Sequence, residues 1–248
     1  MLTPEEHGFL QKTFGLRALA EADARSVPLE YVFDAQCCGE LLRRVMPLTG
    51  APDMAIAASL FAKRLAFLAT GNVLYAMSVF DKGLPLSLSS CRLEYAHDDG
   101  LWTSSLPTDI TAPGYLPGER DAWRENVAEA LFSGFLSPVW QSLAQVSGLP
   151  VQILWENTAV RVFSLYQGRM NKLDEEQTQR QHADFNWLTG QASPSLFGLP
   201  WNPLKRFYRP FQQNAEGEHV RFRRTCCFYY KATKPAEYCL NCPLCRPA

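Results

Sequence analysis

The sequence predicts a mainly α-helical fold with a small β element (α+β), closed by a C-terminal cysteine-rich, cluster-binding tail. Three observations lead there. Apolar residues recur at helical spacing through most of the first 170 positions. The period shortens towards alternation between residues 84 and 106. After Pro194 prolines and aromatics become dense while periodicity fades. With 248 residues, 47% of them hydrophobic, the chain can build one sizeable core with an appended module.

The elements follow in chain order. Leu10, Phe14, Leu16 and Leu19 recur at helical spacing. Asp34 is a candidate N-cap for a second helix carrying Leu41, Leu42 and Val45. Residues 52–80 open on Pro52 and Asp53 and are apolar nearly all round, the pattern of a helix buried in a core. Lys63 and Arg64 interrupt that stretch. Its longest uncharged run, residues 65–80, falls short of the roughly 20 residues a bilayer needs, so no stable membrane insertion is expected. Residues 86–106 predict a β-hairpin with Asp99–Gly100 at its turn, and Pro107, Pro113 and Pro117 mark a loop. Helical spacing resumes over residues 119–146 through Trp123, Val127, Leu131 and Phe135, with Pro138 a candidate break. Gly148 and Pro150 separate it from the helix VQILWENTAVRVFSLYQGRM, and the polar DEEQTQRQHADFNWLTG ends at Gly190. The expected division is a helical body over residues 1–195 and a cysteine-bearing segment over residues 196–248.

Formal charge is −1 and the sequence pI about 6.4, so the overall balance predicts neither nucleic acid nor a membrane surface as partner. The charge is unevenly placed. From Trp201 onward there are nine basic and three acidic residues, net +6, against 15 basic and 22 acidic in the remainder, net −7. The opening MLTPEEHGFL has no basic or apolar leader pattern. A cytoplasmic location is therefore expected, where thiols stay reduced and clustered cysteines act as metal ligands or redox groups rather than disulfides.

Five of the eight cysteines fall in CCFYYKATKPAEYCLNCPLC: Cys226, Cys227, Cys239, Cys242 and Cys245. A C-x-x-C turn brings two sulfurs to one side of a tight bend, and a metal centre offsets the repulsion among gathered thiolates. Zinc favours two C-x-x-C knuckles on one ion. The adjacent Cys226 and Cys227 would point to opposite faces of an extended segment, which suits a larger [2Fe–2S] cluster with ligand sites on two irons. Spacing alone leaves zinc and iron–sulfur open. Cys37 and Cys38 in a predicted helix, and Cys91 in a predicted strand, read as small buried groups. Of the four histidines only His219 is near the cluster segment, which excludes a Rieske centre.

The stretch RRTCCFYYKATKPAEYCLNCP resembles the C-terminal signature of the FhuF-like ferric siderophore reductases, with an Arg-rich lead-in, a C-C pair followed by aromatics, and a C-x-x-C followed by proline. LPWNPLKRFYRP and LPVQILWENTAVRVF are also similar to that family. The gap here is eleven residues, one longer than the family spacing. The resemblance implies a [2Fe–2S] cluster on Cys226, Cys227, Cys239 and Cys242. Cys245 is then a spare thiol, with a second C-x-x-C leaving it an alternative to Cys239 or Cys242. The activity implied is one-electron reduction of a ferric siderophore of hydroxamate type, releasing Fe(II). No bond in the chelator is cut, so no nucleophile or general base is expected. No dinucleotide or P-loop motif is found, so an external electron donor, ferredoxin-like or flavin-bearing, is expected to load the cluster. Arg221, Arg223, Arg224 and Lys231 place positive charge near the sulfurs. Lys205, Arg206, Arg209, Arg223 and Arg224 are the candidates for contacting the chelate. Phe228, Tyr229 and Tyr230 are expected to shield one face of the cluster, Trp155 to pack in the core, and Asn157 to tie helix to tail. The competing readings are a structural-zinc binding module with a basic partner-contacting tail, and an iron–sulfur electron carrier or redox sensor.

Overall fold

The computed structural model describes residues 1–24, 26–94, 97–98, 101–102, 105–110, 115, 118–214 and 216–246. Thr3 caps α1 (Pro4–Phe14) in a reciprocal box with Glu6. Gly15, left-handed at φ 65°, ends it. Leu16 and Leu19 therefore lie beyond the helix their spacing suggested. Leu16 opens strand β1 (Leu16–Ala18) and stays fully buried, so the apolar rhythm continues across a change of structure.

The expected Asp34 cap is present, and Asp53, at the expected helix start, is a cap as well. Asp34 accepts from the Cys37 amide (2.8 Å) at the head of α2 (Ala35–Thr49), and Asp53 from the Ile56 amide (2.9 Å) at the head of α3 (Met54–Ser78). Among the described residues α3 is the one helix long and apolar enough to cross a membrane, yet 67% of its most apolar window is buried inside the protein. It is the central core helix. α4 (Arg120–Leu131) runs through a π-helical turn, Phe132–Leu136, into α5 (Ser137–Ser147). Pro138 does not break this run. It sits in the first turn of α5, and the widened turn before it absorbs the missing amide. α6 (Val151–Ser164) also closes in a π-helical turn, Leu165–Arg169. Asp174 and Gln177 box the start of α7 (Glu175–Gly190), and Asn202 caps the short α8 (Pro203–Phe207). Five residues are too few to display a helical period, so α8 was invisible in the pattern.

α3 packs most extensively against α6, with α2, α5, α4, α1 and α7 around them. A buried carboxylate pins this arrangement. Asp184 of α7, with no exposed side-chain surface, accepts from Arg120 (2.9 and 2.8 Å), Arg124 (3.2 Å) and the Ser78 hydroxyl (2.8 Å).

The β structure is small but wider than one hairpin. β2 (Val27–Pro28) pairs antiparallel with β3 (Arg92–Leu93), and β4 (His97–Asp98) with β5 (Leu101–Trp102). The second pair sits where the hairpin was expected; Asp99 and Gly100 lie outside the described residues. β1 runs parallel to β6 (Leu106–Thr108), with Arg17 opposite Pro107. Pro107 is thus in a strand rather than the expected loop, tolerated because this two-stranded pair leaves an unbonded edge. Pro113 and Pro117 are outside the described residues. Near the tail, β7 (Gln212–Gln213) and β8 (His219–Val220) form a short antiparallel pair.

Candidate metal centre

The cysteine segment is bonded to the two central helices before any metal is considered. On α6, Glu156 is 1% exposed and turns its carboxylate onto the incoming backbone. It accepts from the Arg224 amide (2.6 Å), the Thr225 amide (2.7 Å) and the Thr225 hydroxyl. Such charge-assisted bonds fix the two residues just before Cys226. Asn157 accepts from Arg223 (2.7 Å) and donates to the Ser59 carbonyl of α3 (3.0 Å), so it does tie helix to tail. The Ser59 hydroxyl donates to the Cys227 carbonyl (2.9 Å). Trp155 is fully buried in the core, as expected.

The backbone then reverses. Phe228 has φ 61°, a conformation uncommon for a side-chain-bearing residue, and its amide donates to Cys226 Sγ (3.3 Å). This turn is how adjacent cysteines avoid the opposite-face geometry of an extended segment. Downstream, the Cys242 amide donates to the Cys239 carbonyl (2.9 Å) and the Cys245 amide to the Cys242 carbonyl (3.2 Å), two consecutive tight C-x-x-C turns.

Together these bends gather the sulfurs. Cys227 Sγ and Cys239 Sγ are 3.8 Å apart. Two thiolates each about 2.3 Å from one tetrahedral metal stand about 3.8 Å apart, so the pair has metal-sharing separation. Cys242 lies against Cys226 closely enough to help raise its thiol pKa, and against Cys245 on the other side. Among the described residues no three His, Cys, Asp or Glu side chains converge as a single-ion site. The contacts join Cys227 to Cys239 and Cys226 to Cys242, a pairwise gathering that a two-metal group can use. Cys227 and Cys242 are buried, Cys226 and Cys239 half-buried and Cys245 exposed.

Electrostatics single out Cys227. Its pKa is pulled down to about 4, first by the hydrogen bond with Cys239 and then by the charges of Lys63 and Arg223, against the opposing effect of burial. The Cys239 thiol moves up in response. Burial pushes Cys226 up, Cys38 to about 11 and Cys91 to about 12, the behaviour of the small buried thiols expected at the last two. Lys63 of α3 places its Nζ 3.7 Å from Cys227 Sγ and 5.2 Å from the Tyr229 ring. Burial lowers its own pKa while the Cys227 thiolate raises it. Arg223 is 4% exposed, with its Nε 3.9 Å from Glu156 and no hydrogen-bond partner for that atom.

The remaining sequence candidates are dispersed. Lys205, Arg206 and Arg224 are exposed, and Arg206 lies over the Trp201 ring (4.6 Å). The Arg209 carbonyl accepts from Arg221. Of the five chelate candidates only Arg223 reaches the sulfurs' surroundings. Phe228 and Tyr229 pack towards the core, while Tyr230 stacks on Tyr238 at 5.1 Å. Lys63, Ser59 and Glu156 were missed. The available signal was a Lys-Arg pair inside an otherwise apolar helix, a position where charge needs a partner.

The mainly helical scaffold turns the half-buried Lys63, the buried Arg223 and a carboxylate-fixed backbone onto paired thiols, the setting of a thiolate-held metal centre. The chain matches the family described as "Ferric iron reductase FhuF-like transporter" over residues 59–219, and the "FhuF 2Fe-2S C-terminal domain" over residues 223–244. It belongs to the FhuF-like ferric iron reductase family, and its cofactor is a [2Fe–2S] cluster. The structural-zinc alternative falls with that match. No curated protein matches the chain.

Proposed function

We propose that this protein is a cytoplasmic reductase of ferric siderophores, acting on hydroxamate-type chelates and releasing iron as Fe(II). An external donor, ferredoxin-like or flavin-bearing, supplies the electrons, and the chain does not insert stably in a membrane. Its body, residues 1–195, is the scaffold and residues 196–248 carry the redox site. Cys226, Cys227, Cys239 and Cys242 are the ligands. Cys245 is left out; its exposure and the end of the domain match at residue 244 support this.

The observation that carries the reading is Cys227. It is buried, within 3.8 Å of a second cysteine sulfur, and faces a lysine ammonium at 3.7 Å. When bound, a [2Fe–2S] cluster supplies one electron at a time. The chain's own groups prepare that step. Lys63 and Arg223 hold positive charge where negative charge accumulates, and the Phe228 amide directs its dipole at Cys226. Glu156 and Asn157 keep the ligand-bearing turn from shifting. Hydroxamate oxygens are hard ligands that prefer the more highly charged ferric ion, so one added electron loosens them without bond cleavage.

The test is anaerobic. Dithionite-reduced protein is mixed with a panel of ferric hydroxamates, with a ferrous chelator as trap, and followed optically. Oxidation of the protein matched by trapped Fe(II) is expected. Reduced protein that stays reduced with every ferric chelate would make the chain an electron carrier or redox sensor instead.

A further inference from the structure

A cavity of about 390 Å³ opens between α6, the β7–β8 pair and the loop joining Cys239 to Cys242. Leu240 and Asn241, the two residues between those cysteines, form one wall. Behind them the Arg223 amide donates to the Asn241 carbonyl (3.0 Å). Anything held here touches the backbone that carries Cys239 and Cys242. Gln167 also lines a neighbouring recess of about 470 Å³, and the groove beside the cysteine loop is by itself of small-molecule size.

The lining combines apolar surface with uncompensated positive charge. Phe163, Phe207 and Phe211 supply the first, and Leu240 (68% exposed) and Phe211 (52%) leave apolar rims in water. Arg161 and Arg221 supply the second, while the buried Arg223 beside them is already answered by Glu156 at 3.9 Å. The Arg221 guanidinium is held rigidly, 4.1, 4.4 and 5.2 Å from the Tyr208, Phe211 and Phe163 rings. It donates to Gln167 Oε1 (2.7 Å) and to the Arg209 carbonyl, and no carboxylate pairs with it among the described residues. Arg161 donates to the Lys63 carbonyl (3.3 Å) and likewise has no described carboxylate partner. Glu156, the one acidic residue in the described lining, commits its oxygens to Arg224 and Thr225. The groove is therefore a preorganised positive field on a chain of net charge −1.

Resting on the reading of this chain as a ferric-chelate reductase, we infer that the groove is its chelate subsite. It selects neutral or negatively charged iron chelates over positively charged ones, and Arg221 sets that selection. The apolar arms of the chelate lie against the phenylalanines. Its oxygen-rich iron face turns to the arginines and the Leu240–Asn241 wall. A pendant ammonium group on the chelate meets like charge without a carboxylate to answer it.

Redox-inert gallium separates binding from reduction. Holoprotein is titrated calorimetrically with Ga(III)-desferrioxamine B, which carries a free ammonium, and with its N-acetyl derivative, which keeps the same hydroxamates and loses the charge. About three- to tenfold tighter binding of the acetylated form is expected. Arg221→Gln should erase the preference, and Ser164→Trp, on the exposed rim, should block both forms with the visible spectrum intact. Equal affinities in the unmodified protein, a preference that survives Arg221→Gln, or unimpaired binding by Ser164→Trp would each overturn the inference. If the gallium chelates bind as expected but no ferric chelate is reduced, the subsite stands and the reductase reading fails.

Discussion

Replacing Lys63 with methionine should drive the reduction potential of the cluster down while leaving its ligands in place. Lys63 Nζ lies 3.7 Å from Cys227 Sγ. A metal held by that sulfur at about 2.3 Å would lie at most about 6 Å from the ammonium, which sets the distance for the added electron. At an effective dielectric near 20, unit charges at that distance interact by about 3 kcal/mol. For a one-electron couple this corresponds to roughly 120 mV, since a tenfold change is 59 mV. Lys63 is only half-buried, so solvent screening reduces the shift to about 60–120 mV. Methionine keeps the length and apolar stem of the side chain and removes the charge. The assay is an anaerobic redox titration of holoprotein by visible absorption, with Lys63→Arg as the charge-retaining control, expected within about 30 mV of the parent on the same Coulomb reasoning. A Lys63→Met potential equal to or above that of the parent, with an unaltered spectrum, would refute the assignment of Lys63 as the cation that favours the reduced state.

Serine at Cys226, Cys227, Cys239 or Cys242 should abolish or alter the visible spectrum, whereas Cys245→Ser should keep it; a bleached Cys245→Ser with a normal Cys239→Ser would move the ligand set by one turn. Glu156→Gln keeps the shape but offers one acceptor oxygen where a carboxylate satisfied three donors, so it should cost about 2–3 kcal/mol of stability and lower iron content per chain, read by thermal melting and iron assay. Glu94 is buried, and burial alone would raise its pKa, but hydrogen bonds from Ser105, Ser26 and Arg17 leave it lowered below 4.5. A lowered carboxylate stabilises the fold fully above its unfolded value near 4.5 and loses that contribution as pH falls through the folded value. Glu94→Gln should therefore be less stable than the parent by about 2 kcal/mol at pH 7, with the gap closing in urea titrations as the pH falls from 4.5 through the lowered folded value.

The proposed ligands and the residues around them were legible to very different degrees. Cys226, Cys227, Cys239 and Cys242 sit in one short stretch, where spacing and the chemistry of C-x-x-C turns speak directly. Asp34 and Asp53 were also readable, because a cap is a bond between residues three apart. Lys63 and Glu156 were not. Their partners lie 164 and 68–69 residues away, and nothing local marks such a contact beyond a charge in an unexpectedly apolar helix. The strand partners of residues 92–93 and 106–108 come from residues 27–28 and 16–18, segments too short to show alternation.

The same long-range character explains why so much of the chain bears on one turn of cysteines. Ser59, Lys63, Glu156 and Asn157 all project from α3 and α6, the most extensively packed pair of helices in the protein. Gly50, at φ 70° between α2 and α3, approaches the tail so closely that an added Cβ would lie 2.4 Å from the Ala232 carbonyl oxygen. A redox site changes charge with each turnover, and a mobile ligand loop would relax around each state and raise the reorganisation cost. Fixing the cysteine-bearing backbone to the most extensively packed helices of the core opposes that relaxation. It follows that substitutions which loosen the α3–α6 contact far from any cysteine should broaden the cluster's spectroscopic signals before they lower its occupancy, because the sulfurs would lose their fixed frame ahead of their metal.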